Sequence, residues 1–401
     1  MQKQSILITV AVLIGTASCA GNPNADTTRP VETKKPNSNY KPAFAGQTRI
    51  GAVTTKTAYK VDKLAEKLGR PWAVVPLADG RLLLTEKSGY LLLLKQDGSL
   101  IKKITGLPAV DDRGQGGLLD VALDPDFSKN KMIYWSFSEK SGANNLTAVA
   151  KGKLEELKGI VENVQVIFRA TPALNSTLHY GSRLIFDKDG NLFVSTGERS
   201  NPDGRKQAQW LQAGLGKIFK ITKEGKPAPG NPFIGKPNIM PEIYAYGFRN
   251  PQSLDLHPVT GELWEAEFGP RGGDELNLIK AGKNYGWPVI TYGIEYGGSA
   301  VGDGIQQKAG MEQPVYYWDP VLSPGGMAFY KGNTIPEWTN NLFIGGLSSA
   351  HLCRLVIRNN KVVGEERLLT DKNERFRDVA YHNGALYTVT DMGNLYRISK
   401  K

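Results

Sequence analysis

The sequence predicts an all-β fold, a six-bladed β-propeller. Three observations carry that expectation. A turn bearing Gly, Asp or Asn leads into a short apolar strand, and this pattern occurs six times, four regular and two looser. No helical stretches alternate with those strands, which excludes a parallel α/β sheet with its helical crossovers. Forty-five glycines and 23 prolines in 401 residues break any long helix, which excludes bundles and coiled coils. With 40% hydrophobic residues and seven tryptophans the chain can fill a large core, so disorder is excluded too.

Four units are regular. Ala78-Asp79-Gly80 precedes Arg81-Leu82-Leu83-Leu84-Thr85, and Lys188-Asp189-Gly190 precedes Asn191-Leu192-Phe193-Val194-Ser195. Val259-Thr260-Gly261 precedes Glu262-Leu263-Trp264, and His382-Asn383-Gly384 precedes Ala385-Leu386-Tyr387. The looser copies are Met132-Ile133-Tyr134-Trp135 and Asn341-Leu342-Phe343-Ile344. The units average about 61 residues, against roughly 40–50 for common propeller repeats. The surplus belongs in loops. Stretches 198–240 and 269–323 are the expected insertions, and long loops in a compact fold usually carry function.

Residues 1–18 read as a secretory signal. Lys3 supplies the charged start, and residues 6–14 are apolar apart from Thr9, a run too short to span a bilayer. Thr16-Ala17-Ser18 leads into Cys19. Two readings stand: an ordinary cleaved signal, or a lipoprotein acylated on Cys19. Residues 19–47, rich in Asn, Pro, Thr and Lys without apolar periodicity, read as a flexible tether. Residues 48–401 read as the propeller. The expected location is outside the cytoplasm, in the periplasm or at the outer membrane, with membrane contact only through a Cys19 anchor. Cys353 alone remains in the folded part, so no internal disulfide forms. Leu352-Cys353-Arg354-Leu355-Val356-Ile357 reads as a strand that buries a structural thiol. The net charge of +11 is spread along the chain with acids between, and no DNA or RNA module accompanies it, so nucleic acid is not an expected partner.

Several stretches can carry chemistry. Asp111-Asp112-Arg113-Gly114-Gln115-Gly116-Gly117 lets a ligand approach the backbone while Gln115 projects, or is simply a turn needing positive φ. His179 stands at a loop-to-strand junction beside Gly181, where propeller sites line the central channel; the other three histidines sit in turns or at a strand border. Tyr246-Gly247-Phe248-Arg249-Asn250-Pro251-Gln252 offers a guanidinium that can fork onto a carboxylate, or pair with an acid of the next blade. In Gly269-Pro270-Arg271-Gly272-Gly273-Asp274-Glu275, small and rigid residues hold backbone carbonyls open beside two carboxylates, an oxygen-rich set of the kind calcium takes, though not at EF-hand spacing. Asn284-Tyr285-Gly286-Trp287-Pro288 adds a free carbonyl and an aromatic. Arg375 and Arg377 alternate along an expected strand and so share a face, where they repel unless an anion lies between them.

Taken in order, these stretches resemble the soluble quinoprotein dehydrogenases of the glucose/sorbosone dehydrogenase family, from about Gly69 to Arg397. The resemblance implies a six-bladed propeller holding pyrroloquinoline quinone and calcium. It implies that aldose sugars are oxidised at the C1 hydroxyl to lactones, with hydride passing to the quinone and electrons on to an acceptor the sequence does not name. It implies that His179 is the base, and that Gln115, Arg249, Asn250, Arg375 and Arg377 hold the cofactor, with Tyr296 lining its pocket. It implies that carbonyls of Gly269 and Pro270 bind one calcium, and that Glu275 and the Tyr285 carbonyl belong to a second. Several relatives carry a cofactor-binding lysine after a Phe-Ile-Gly-Ala-Leu-like strand; here Phe343-Ile344-Gly345-Gly346-Leu347 is followed by Ser348-Ser349, one cationic contact fewer. Two other readings remain open on the residues alone: a calcium-dependent propeller lactonase, and a non-catalytic binding propeller.

Overall fold

The computed structural model describes residues 25–401. The signal over 1–18 and Cys19 lie outside the described residues. Six sheets, antiparallel apart from one parallel pair at the rim of the fifth, form six blades around a channel. The strands nearest the channel are Pro71–Pro76, Leu118–Leu123, Gly181–Phe186, Pro251–Leu256, Pro324–Phe329 and Phe376–His382, defining blades 1 to 6, and each packs against the next around the ring. All six repeats found in the sequence are the second strand of a blade: Leu82–Glu86, Met132–Ser141, Leu192–Thr196, Leu263–Glu267, Leu342–Gly346 and Ala385–Thr390.

The core is divided in the same way. Six apolar clusters each fill the gap between neighbouring blades. The second strands are buried on both faces, which explains their continuous apolar runs. The ring closes by sharing a blade between the two ends of the chain. Blade 6 consists of Phe376–His382, Ala385–Thr390, Leu395–Lys400 and, outermost, Tyr59–Ala65.

Two expectations about loops are corrected. Stretch 269–323 contains two strands of blade 4, Asp274–Ile279 and Tyr316–Trp318, so its true insertion is shorter. Stretch 198–240 likewise contains Lys217–Ile221 of blade 3 and a short helix, Pro202–Gln207. Lys217 is fully buried and its Nζ donates to the carbonyls of Gln207, Ala208 and Leu215 at 2.8, 3.0 and 2.6 Å, tying that loop to the blade.

The tether expected over 19–47 also differs from the structure. Ala25–Pro30 pairs with Gly51–Val53, which runs parallel to Lys361–Leu368 at the rim of blade 5. Asn37 N–H donates to Asp319 Oδ1 at 2.8 Å, and buried Gln47 donates to the Pro314 carbonyl at 2.9 Å. Polar side chains that read as solvent-loving composition are here the hydrogen-bonding partners of blade 4. Among the described residues no helix is long and apolar enough to cross a membrane.

Candidate active site

Every channel-facing strand has a break in register near its start, between Pro71 and Val74, Leu118 and Val121, Gly181 and Leu184, Pro251 and Ser253, Pro324 and Met327, and Phe376 and Asp378. Bulges of this kind re-aim side chains. One of them turns Arg183 across the channel. Its Nη1 lies 3.0 Å from Asp120 Oδ1, its Nη2 lies 3.1 Å from Asp378 Oδ1, and the guanidinium stacks 4.5 Å from the Trp72 ring. A Cβ on Gly326 would collide with Asp378, so glycine there makes room for this plug. Arg183 lines the cavity on one side of the plug; on the other side lies a cavity of about 290 Å³.

That second cavity takes its walls from both ends of the chain. Arg70, Trp72 and Lys87 come from blade 1, Gln115 from the loop entering blade 2, Gln252 from blade 4, and Arg375, Arg377 and Asp391 from blade 6. Four cationic side chains and one carboxylate therefore share its wall. Burial, then Arg70, hold the Lys87 ammonium below its ordinary range; its Nζ donates to the carbonyls of Asp112 and Gly114 at 2.8 and 2.6 Å. The anion expected between Arg375 and Arg377 is present in the chain itself. Arg375 Nε reaches Asp391 Oδ2 at 2.8 Å, and Arg377 reaches Oδ1 and Oδ2 at 2.8 and 3.0 Å. Burial raises the Asp391 carboxyl, but the two arginines outweigh it and hold it low.

His179 does not line this cavity; it is buried behind Gln115, in the left-handed region with φ of 49°. Its backbone N–H donates to Gln115 Oε1 at 2.8 Å, which fixes the glycine-rich loop against it. Its Nδ1 lies 2.6 Å from Glu198 Oε1. A carboxylate only accepts, so Nδ1 carries the hydrogen and Nε2 keeps its lone pair. Burial, then the Arg249 guanidinium, lower the ring to about 4, against the opposing pull of Glu198.

The expected calcium residues gather beside this. Gly269, Glu275 and Tyr285, with Arg249, Glu267 and Trp287, line a cavity of about 10 Å³, the scale of a single water or ion. Glu267 and Glu275 face each other across paired strands, and Glu265 lies on the same strand as Glu267. All three are buried. Burial pushes Glu267 to about 8, with the Glu198 charge adding to it, and burial followed by repulsion from Glu267 raises Glu265 and Glu275. Pro270 is buried nearby but does not line the cavity.

Three expected cofactor contacts are placed differently. Tyr296 is 71% exposed and lies outside both cavities, because its hairpin turns outward past Ile294. Arg249 points away from the larger cavity and donates to the Gly269 carbonyl at 2.6 Å, the atom expected on calcium. Asn250 accepts from Gly181 N–H at 3.0 Å and so braces the His179 loop. Sequence reading missed Glu198, Asp391, Lys87 and Trp72. The repeat could have found the first three: each lies one or two residues past the end of a blade's second strand.

The family model described as Glucose / Sorbosone dehydrogenase matches residues 68–397. The chain belongs to the glucose/sorbosone dehydrogenase family. It is 39% identical over 347 residues to the aldose sugar dehydrogenase YliI of Escherichia coli (strain K12), covering 85% of this chain and 93% of that one. A solved glucose dehydrogenase superposes with a TM-score of 0.81 at 43% identity, covering 85% of this chain and 99% of that one. The pyrroloquinoline-quinone-bound aldose sugar dehydrogenase of Streptomyces coelicolor superposes with a TM-score of 0.71 at 28% identity, covering 86% and 99%. Family membership and these relatives support an oxidoreductase acting on a small sugar, built as a six-bladed propeller.

Proposed function

We propose that the protein oxidises the C1 hydroxyl of aldose sugars to lactones with pyrroloquinoline quinone and calcium. The observation that carries this reading is the 290 Å³ cavity with Arg70, Lys87, Arg375 and Arg377 around it and the buried His179–Glu198 pair tied to its wall through Gln115. A planar ligand with several carboxylates is the chemistry that such a ring of cations selects. Lys87, one residue past its strand, stands in blade 1 as Leu347 stands in blade 5, and it supplies a cation where the Ser348 region offers none. For calcium, the fit lies in the buried carboxylates Glu267 and Glu275, the cavity of about 10 Å³ they line and the Tyr285 segment, a set of oxygens in which Glu267 repels Glu275 and from which the Arg249 guanidinium, now on the Gly269 carbonyl, would have to withdraw.

When bound, the quinone supplies a two-electron hydride acceptor and calcium a Lewis acid that strengthens it. The residues of the chain do the rest. His179 Nε2, neutral at pH 7 and unprotonated, takes the proton of the sugar hydroxyl as hydride leaves C1. Glu198 holds the ring by Nδ1 and stabilises the charge that forms. Gln115 keeps the loop from moving off His179. Arg375 and Arg377 anchor an anion from one wall and Lys87 from the other.

The test mixes chelator-treated protein with the quinone and calcium and follows reduction of a redox dye by an aldose. Activity needing all three components supports the reading. Lactone hydrolysis without dye reduction supports a lactonase, and quinone binding without turnover a binding propeller. Export rests on residues 1–19 alone. The mature protein is expected to begin at Cys19 carrying acyl chains, and a mass that includes Met1 would overturn this.

A further inference from the structure

A second cluster of chemistry-bearing side chains lies at the rim of blade 5, away from the channel. Cys353 lies on the strand Leu352–Arg358, with His351 immediately before its start, and Glu365 stands on the neighbouring strand, diagonal to Cys353 in a register that pairs Cys353 with Arg367 and Leu355 with Glu365. Side chains with that spacing share one face of the sheet. All three are buried, at 4%, 0% and 1% exposure. His351 Nδ1 lies 3.0 Å from the Ser349 carbonyl. A carbonyl only accepts, so Nδ1 carries the hydrogen and the lone pair is on Nε2. That buried Nε2 has no hydrogen-bond partner. One ligand atom from each of His351, Cys353 and Glu365 lies within 4.8 Å of the others.

We infer that His351, Cys353 and Glu365 form a binding site for a divalent metal of zinc type. Three atoms no more than 4.8 Å apart lie about 2.8 Å or less from a common centre, and zinc draws nitrogen, oxygen and sulfur ligands to roughly 2.0–2.3 Å. Shifts well under an ångström close the site. A mixed set of imidazole, thiolate and carboxylate suits zinc or cobalt(II) and disfavours calcium, which takes oxygen alone.

The surroundings are arranged as metal sites commonly are. Glu365 is oriented on one oxygen by Arg367 Nε at 3.2 Å and on the other by the Tyr316 hydroxyl at 3.1 Å. The Ser349 carbonyl sets the tautomer of His351. Charge also closes: thiolate and carboxylate neutralise a dication, and Arg367 is paired with Glu32 at 2.7 Å. Glu32 belongs to the N-terminal segment laid over this blade, so a bound metal fastens the sheet beneath that segment. Binding releases the thiol proton to solvent.

The test uses the full chain, stripped with chelator, and cobalt(II) as the probe, added both to folded protein and during refolding from denaturant so that burial cannot hide the site. The expected result is a thiolate-to-cobalt charge-transfer absorption with visible bands of tetrahedral cobalt, saturating at one ion per chain and displaced by zinc. Cys353→Ala should abolish the charge-transfer band, and His351→Gln should weaken zinc binding at least about tenfold. Aldose oxidation by the quinone- and calcium-loaded enzyme should be unchanged in His351→Gln, which separates this site from the channel. No cobalt band by either route, or a band that survives Cys353→Ala, overturns the inference.

Discussion

His179 is held in a backbone conformation that a non-glycine residue adopts only when its neighbours over-determine it. Those neighbours are Gln115 on its N–H and Glu198 on its ring. His179→Gln should lower turnover at least about a hundredfold, the scale of a lost general base, with quinone affinity nearly unchanged. Near-normal turnover would remove it as the base. Because the ring is lowered to about 4, the free enzyme should keep its kcat/KM as pH falls through 6.5 and lose it only nearer 4, where Nε2 is protonated. Glu198→Gln removes an influence that raises the ring, so the acid limb should move lower still while kcat falls; an unmoved limb would deny Glu198 its positioning role. Arg377 is a different case, since Asp391 already supplies its anion. Arg377→Ala should weaken quinone binding by tenfold to a hundredfold, about 1.5–3 kcal/mol. It should also lower the melting temperature of cofactor-free protein, because Asp391 is then left half-paired. A higher melting temperature would mean that repulsion between the two arginines dominates after all.

At the scale of elements, the second strands were legible because their signal is local: a turn residue, then an apolar run buried on both faces. What was illegible depends on distant chain. Asp391 lies 14 residues from Arg377 along the sequence, yet nothing in either stretch says that a bulge between Phe376 and Asp378 will bring both arginines onto it. The polar segment before Gly51 read as tether because composition does not reveal that Asp319, 282 residues from Asn37, will receive it. Of the site, the residues inside motifs were found, and the residues that brace them were not. Lys217 is one such brace. Lys217→Met would leave three buried carbonyls without their donor, each at about 1–3 kcal/mol. The denaturation midpoint should fall clearly, and protease should cut within 198–216 first. An unchanged midpoint would show that the loop that carries Glu198 stands without it.

For the molecule as a whole, closure is the decisive event, since a propeller has no stable open form with two raw edges. Deleting residues 395–401 strips the partner from Tyr59–Ala65 and leaves blade 6 with two strands. Loss of the single cooperative unfolding transition is expected, followed by calorimetry; a truncated chain that melts as the full one does would show that five blades suffice. The seam has a further consequence, and it concerns time. The cavity joins Lys87, made early, to Arg375, Arg377 and Asp391, made last. At about 5–20 residues per second a ribosome needs some tens of seconds to pass from one group to the other. Throughout that interval half of the cationic clamp proposed for the quinone does not exist. On the proposed function, loading with quinone is therefore the final act of biogenesis, confined to chains already complete and closed, and the cofactor has to be supplied where the finished ring resides.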